Sequence, residues 1–302
     1  MLSERSARRF SYAVLTVTLT VIVDVGCVQP APIPSGGASE GSSTSRARQA
    51  APTDDGPTVD HGRIIEETEE QLVRSPNDAE LRFRLAFALE QRDEIDRAMH
   101  EYEAVIQLAP GHVWARNNLG VLYARRGQYD EAIGKFGEAL FRDPKHETAR
   151  LNSGLVFLKI GDRDAALRQF RILLQLNPKH VEGLIGLGRV LLEQGELDQS
   201  LVQFRQALSI DPQSVSAHRF LGKALLKHDE PHEAAAAYRR AVDLQPGDAV
   251  LRYELAQALE AEGKRREAVT ELRRILELPP PADGNAVRRL AEAGLHRLGA
   301  SP

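Results

Sequence analysis

A chain of 302 residues with 43 acidic and 39 basic side chains carries a net charge of only −4, so no global basic field exists to hold nucleic acid. Aromatic residues are 5% and charged residues 27%, a balance that suits a helical protein better than an all-β one. The single cysteine, Cys27, excludes an intrachain disulfide and a metal site built from thiolates.

The first element is a delivery signal over residues 1–27. Arg5, Arg8 and Arg9 precede an uncharged, mostly apolar run at 10–23. That length fits the roughly 7–15 residue core of a secretory signal. It falls short of the ~20 residues needed to cross a bilayer; a short membrane anchor is the alternative reading. Val25-Gly26-Cys27 resembles the lipid-attachment signal of bacterial lipoproteins, with Asp24 standing where that signal usually has an apolar residue. The resemblance implies cleavage before Cys27, acylation of its thiol, and an extracytoplasmic, lipid-anchored place in the bacterial cell envelope. Val28 follows the cysteine instead of a retaining aspartate, which leans towards the outer membrane in a cell with two.

Residues 28–60 are rich in Pro, Gly, Ser and Ala and offer little to bury, so a disordered leash is expected there. The stretch 61–76 contains GRIIEETEEQLVRS, the length of one helix, and is expected to cap the N-terminal end of the folded region.

Between residues 77 and 280 the chain repeats itself. Prolines fall at 76, 110, 144, 178, 212, 246 and 280, an unbroken spacing of 34 that delimits six units. A small residue recurs as Ala86, Gly120, Gly154, Gly188, Gly222 and Ala256. A large one follows three later, as Leu89, Tyr123, Phe157, Leu191, Leu225 and Leu259. A second pair of rows carries Ala98, Ala132, Ala166, Ser200, Ala234 and Ala268, then Tyr102, Phe136, Phe170, Phe204, Tyr238 and Leu272. Spacings of three and four within two segments predict two amphipathic helices per unit. Gly127, Gly161, Gly195 and Gly263 mark the turn between them, and each proline stops the second helix.

This pattern resembles the tetratricopeptide repeat, a helix–turn–helix unit of the same period. The resemblance implies an all-α, right-handed superhelical solenoid of six units with a concave inner surface and capping helices at both ends. Arg82, Arg116, Arg150, Leu184, His218 and Arg252 occupy the place of the family's usual tryptophan. One unit buries too few side chains to offset the entropy of ordering 34 residues, so neighbours must share apolar faces. Residues 281–302 contain NAVRRLAEAGLHRLG, a C-terminal capping helix with Arg288, Arg289 and Arg297 expected on its solvated side.

The resemblance also implies where a ligand sits, because in that family the first helix of each unit lines the groove. The matching positions are Phe83 and Phe87 in the first unit, then Trp114, Asn117, Asn118, Val121 and Arg125 in the second. Asn152, Leu155 and Lys159 follow in the third, Arg189 in the fourth, and Arg219 and Lys223 in the fifth. Asn118 and Asn152 are equivalent and are expected to form an amide ladder that hydrogen-bonds a peptide backbone. Arg125, Lys159, Arg189, Arg219 and Lys223 would make the groove basic and suit an acidic segment or a free C-terminus. The expected function is a non-catalytic protein–protein interaction scaffold. An accessory or assembly subunit of an envelope enzyme or secretion complex, bound through the convex face, is the alternative.

Catalytic and metal chemistry finds no support. His228 and His232 are four apart, but Pro231 and the repeat phase place them in a turn. His112, His146 and His180 recur one per unit, too separated to share a metal. GLIGLGRV, residues 183–190, lies inside a first helix without a preceding strand and cannot cradle phosphate. No cofactor and no nucleic acid partner is expected.

Overall fold

The computed structural model describes residues 60–279 and 286–301. The apolar run at 10–23, Cys27 and the stretch 28–59 lie outside the described residues. Within them the chain is helical throughout, without strands. Six first helices, α2 (Ala79–Gln91), α4 (Val113–Arg125), α6 (Glu147–Ile160), α8 (Val181–Gln194), α10 (Val215–Lys227) and α12 (Ala249–Ala261), begin 34 residues apart. Six second helices, α3 (Ile95–Leu108), α5 (Tyr129–Arg142), α7 (Arg163–Leu176), α9 (Leu197–Ile210), α11 (Pro231–Leu244) and α13 (Arg265–Glu277), keep the same spacing. A single helix, α1 (His61–Arg74), covers the exposed side of α2, and α14 (Ala286–Arg297) closes the other end against α12 and α13.

Each boundary has a local cause that returns in every unit. The residue before each first helix accepts a hydrogen bond from an otherwise unpaired backbone N–H. Asp78, Ser214 and Asp248 do this with oxygen. His112, His146 and His180 do it with imidazole Nδ1, which accepts from the N–H of Ala115 at 3.0 Å, Ala149 at 3.1 Å and Gly183 at 3.2 Å. The three histidines that sequence places in the connections are thus helix caps. The turn between helices needs a left-handed residue, and Gly127, Gly161, Gly195 and Gly263 supply it with φ of 75–86°. Asp93 and Asp229 take the same place in the first and fifth units at φ 60° and 64°, which sequence inspection for glycine alone passes over.

The residue in the tryptophan's place has a defined task. Arg82 Nε donates to the Pro76 carbonyl at 2.9 Å, and Arg252 Nε and Nη2 donate to the Pro246 carbonyl at 2.9 and 2.7 Å. Arg150 donates likewise to the Pro144 carbonyl, and His218 Nε2 lies 3.0 Å from that of Pro212. The other arm of Arg82 reaches Glu101 at 2.6 Å, and that of Arg252 reaches Glu271 at 2.8 Å. One side chain therefore ties the inter-unit proline turn to the unit's own second helix.

The core is a file of rings. Tyr102, Phe136, Phe170, Phe204 and Tyr238 are at most 2% exposed. On one side each ring meets the small residue of its own first helix. A Cβ placed on Gly120, Gly154, Gly188 or Gly222 would lie 2.6–2.8 Å from a ring carbon. On the other side the next unit presses down: Asn118 Nδ2 donates to the Tyr102 hydroxyl at 3.0 Å, and Phe220 stacks on Phe204 at 6.0 Å. Gly186 comes so close to Phe170 that any side chain would collide. Neighbouring first helices also touch one another, from α4 to α12, and no comparable contact joins neighbouring second helices. The first helices therefore lie on the inside of the curve and the second helices on the outside.

At the C-terminal end Ala291, Leu295 and Leu298 are buried against the last unit. Arg289 and Arg297 face solvent, but Arg288 does not stay on that side. It turns inward and donates to the Leu276 and Leu278 carbonyls at 2.8 Å each, because the last turn of α13 leaves those oxygens without helical partners.

These contacts set the sign of glycine substitutions. Gly154→Ala, facing Phe170, is expected to destabilise by about 1–3 kcal/mol through overpacking. Gly134→Ala or Gly137→Ala, on the open side of α5 with nothing within 4 Å of the added carbon, should stabilise by up to about 1 kcal/mol, as helix propensity dictates. Urea denaturation of the three variants reads both signs. Acid should loosen the histidine caps. Burial holds the His112 and His146 pKa below the ordinary value of 6.5, and protonation of Nδ1 would abolish each cap. The folded state thus binds fewer protons than the unfolded one, so this stability is complete above that ordinary value and is lost as pH falls through it. His112→Ser with His146→Ser, copying Ser214, should flatten the fall in denaturation midpoint between about pH 7.5 and 5.5.

Candidate peptide-binding groove

A 34-residue period sets equivalent side chains of successive first helices side by side. The groove wall is therefore a set of rows, and its chemistry changes along its length. The N-terminal half is apolar and amide-lined. Phe83 is half-buried between the Tyr102 ring at 5.7 Å and the His112 ring at 4.5 Å. Phe87 meets the edge of His61 at 6.4 Å, and Trp114 stands edge-on to His146 of the next unit at 4.4 Å. Trp114 thus joins two units while leaving part of its indole at the wall.

The amide ladder expected at Asn118 and Asn152 is corrected by the structure. Asn117, Asn118 and Asn152 are at most 4% exposed, and they bond to one another rather than to the groove space. Asn152 Nδ2 donates to Asn117 Oδ1 at 3.0 Å, and Asn117 Nδ2 donates to Asn118 Oδ1 at 3.0 Å. Asn118 Nδ2 donates to the Tyr102 hydroxyl, which donates in turn to Glu90 Oε2 at 2.8 Å. Burial raises the Glu90 pKa above the ordinary carboxylate value, and burial together with Glu90 holds the Tyr102 hydroxyl protonated. The physical reason for the inward turn is that Tyr102 offers Asn118 a hydroxyl. At the equivalent place below Asn152 stands Phe136, which offers none, and Asn152 Oδ1 remains without a partner among the described residues. Val121 is likewise core, 5% exposed, while Leu155 is half-buried against Leu151 and Phe170.

The C-terminal half is charged, and along the whole wall the expected cations divide into two groups. Arg219 is neutralised: its Nε and Nη2 reach the two oxygens of Glu254, both at 2.8 Å. Arg125 pairs with Asp93 at 2.6 Å. These two no longer contribute net positive charge to the groove, a correction to the uniformly basic wall. Lys159, Arg189 and Lys223 form no ion pair among the described residues. The Arg189 guanidinium lies 4.8 Å from the centroid of the Phe220 ring, which fixes its position without taking its charge. Burial, then Lys227, Arg219 and Arg189, lower the Lys223 pKa against the pull of Glu254. Half-buried Arg189 and exposed Lys223 are therefore like-charged neighbours.

Phe220, Glu254 and Lys227 belong to this wall and were missed. The signal for them was available, since adding 34, 68 and 102 to Asn152 gives the sixth-position residues Gly186, Phe220 and Glu254, and adding 34 and 68 to Lys159 gives the thirteenth-position residues Glu193 and Lys227. His228 and His232 do not converge. His228 lies 3.0 Å from Asp198 in one direction, whereas His232 lies 2.8 Å from Glu262 in the other. Pro231 opens α11 at its first position instead of lying in a loop. No cluster of three metal-ligating side chains occurs among the described residues. No described helix is long and apolar enough to cross a membrane.

An α-solenoid of paired helices with an open inner wall is the architecture of a class of binding scaffold. The profile of the tetratricopeptide repeat matches residues 83–147, 151–215 and 191–249, and a second profile of the same description matches 225–293. The chain belongs to the tetratricopeptide repeat family. The fold is that of non-catalytic protein–protein interaction proteins, and the matching profiles include no enzyme. Among solved structures, YrrB, described as a tetratricopeptide repeat protein with an unusual peptide-binding site, is 25% identical. It aligns over 66% of this chain and 99% of its own with a TM-score of 0.51. TTC0263, a thermophilic tetratricopeptide repeat protein of Thermus thermophilus, is 24% identical over 61% of this chain and 99% of its own, with a TM-score of 0.54. A tetratricopeptide repeat protein of Parabacteroides merdae is 16% identical over 78% and 94%, with a TM-score of 0.64. No curated protein sequence matches.

The buried amide chain predicts unequal costs. Asn117→Leu strands both Asn118 Oδ1 and Asn152 Nδ2, whereas Asn152→Leu strands only Asn117 Oδ1. At about 1–3 kcal/mol per stranded group, thermal denaturation should rank Asn117→Leu clearly below Asn152→Leu.

Proposed function

We propose that this protein is a non-catalytic scaffold, tethered through Cys27 to the extracytoplasmic side of a bacterial membrane, that holds an acidic segment or free C-terminus of a partner protein in its groove. The observation that carries the reading is the pair Arg189 and Lys223. They occupy the same row on adjacent units and lack carboxylate partners among the described residues; Arg189 is half-buried and Lys223 is exposed. Like charges held side by side raise each other's cost, and an anion between them relieves it. Phe220, with its ring centroid 4.8 Å from the guanidinium carbon, restrains the Arg189 fork, so less ordering entropy is lost on binding.

The N-terminal half supplies the second part of the site. Phe87, Trp114 and Leu155 leave apolar surface at the wall, while the inward-turned asparagines make that wall rigid. A ligand with apolar side chains followed by a carboxylate fits both halves. YrrB, which aligns over most of the array, carries a peptide-binding site and supports peptide capture by this architecture. The tether rests on the Val25-Gly26-Cys27 signal and the apolar run before it.

Fluorescence anisotropy with labelled peptides tests the groove. A peptide ending in two glutamates with a free carboxylate should bind at least about 10-fold more tightly than its amidated, glutamine-ended counterpart. Arg189→Ala with Lys223→Gln should erase that difference, whereas Arg125→Ala should leave it. Equal binding of the two peptides to the unaltered protein would sink the acidic-ligand reading. Cell fractionation tests the tether, with Cys27→Ser expected to move the protein from the membrane to the soluble fraction.

A further inference from the structure

The outer face carries a second charged surface that the groove reading does not use. Its register is set by the second helices. At their ninth position stand Arg171, Arg205, Arg239 and Arg273, one per unit from α7 to α13 and 34 residues apart. The sixth, ninth and tenth positions of these four helices comprise twelve side chains, all exposed. Seven of them are arginine, none is lysine and none is acidic, in a chain whose net charge is −4.

Ordinary surface pairing does not account for this strip. Arg239 reaches Glu267 at 3.1 Å, Arg274 reaches Glu271 at 2.5 Å, and Arg273 donates to the Ser301 carbonyl at 3.0 Å. Arg168, Arg171, Arg205 and Arg240 have neither an ion pair nor a hydrogen bond among the described residues. Further acidic positions lie along the margins, at Glu233 and Glu267 on one side and Asp243 and Glu277 on the other. Like charges at constant register repel in every unit, and such an arrangement is relieved by an extended anionic partner.

We infer that this arginine row docks the outer face of the solenoid onto an anionic phospholipid surface. Three observations favour a bilayer over other polyanions. A convex face meets a plane along a line, and a row at fixed register is such a line. Guanidinium forks match phosphate oxygens in pairs, which ammonium groups do not. Val202 and Ile172, 57% and 37% exposed, lie at the same strip and offer apolar side chains to the headgroup boundary. No aromatic residue occurs among the twelve positions, so the stacking platform of a single-stranded nucleic acid site is missing. The inference rests neither on Cys27 nor on the groove.

The test uses the full chain with Cys27→Ser and Val202→Cys, so that a polarity-sensitive fluorophore sits on the strip alone. Phosphatidylcholine vesicles are compared with vesicles of phosphatidylcholine mixed with phosphatidylglycerol. The label should shift to the blue only on the anionic vesicles, and the shift should fade as sodium chloride is raised. Changing Arg171, Arg205, Arg239 and Arg273 together to Gln should raise the lipid needed for half-maximal shift by roughly 600-fold, at about 5-fold per arginine. Helical circular dichroism confirms that this variant is folded, and the salt titration of the unaltered row stands without it. An equal shift on neutral vesicles, or no loss in the folded glutamine variant, overturns the proposal. So does a response to duplex DNA at lower concentration than to anionic vesicles, which would assign the row to nucleic acid.

Discussion

The contact on which the structure depends is a ring held between two first helices. The rings of Phe136, Phe170, Phe204 and Tyr238 touch the small residue of their own unit, and those of Tyr102, Phe170 and Phe204 touch the sixth-position residue of the next. Only the first half of this contact exists in an isolated unit, which leaves its ring half uncovered. Burying one ring contributes about 1.5–3 kcal/mol, comparable to the entropy of ordering one or two residues. Stability therefore accumulates only by stacking, and α1 and α14 are needed because the outermost units would otherwise leave apolar sides open.

The same contact constrains the groove. The sixth position is at once the lid of the ring below and the floor of the binding wall. Where the ring below is Tyr102, its hydroxyl draws Asn118 inward and starts a hydrogen-bond chain that crosses three units. Where the ring is Phe170, the lid is Gly186 and the floor has no side chain at all. Where the ring is Phe204, the lid is Phe220, whose other face carries Arg189. Packing demands in the core thus fix which half of the groove is amide-sealed and which half presents cations.

Charge is sorted by helix type. On the inside, Arg219 and Arg125 are cancelled by carboxylates while Arg189 and Lys223 are not. On the outside, the arginine row runs from α7 to α13 at a register without acid in those four helices. A chain with a small net charge therefore keeps two distinct cationic surfaces on opposite sides of one wall. The ligand proposed for the groove and the surface proposed for the outer face would not compete, because the first and second helices face opposite directions.

The 34-residue spacing of prolines, small residues and rings determined by itself that the chain forms paired helices stacked in a solenoid. The reason is that a fixed period forces every unit to bury the same face. The turn positions were legible at Gly127, Gly161, Gly195 and Gly263, but Asp93 and Asp229 take up the same left-handed geometry without announcing it. The candidate wall was legible as a set of positions, since repeat phase puts Trp114, Arg189 and Lys223 on first helices. Only the tertiary structure decided what those positions do. Whether Asn118 faces a ligand depends on a hydroxyl sixteen residues earlier, and whether Arg219 carries free charge depends on Glu254 in the next unit. Period is a property of one dimension, whereas hydrogen bonds and ion pairs between units are settled by distances that exist only after the helices have stacked.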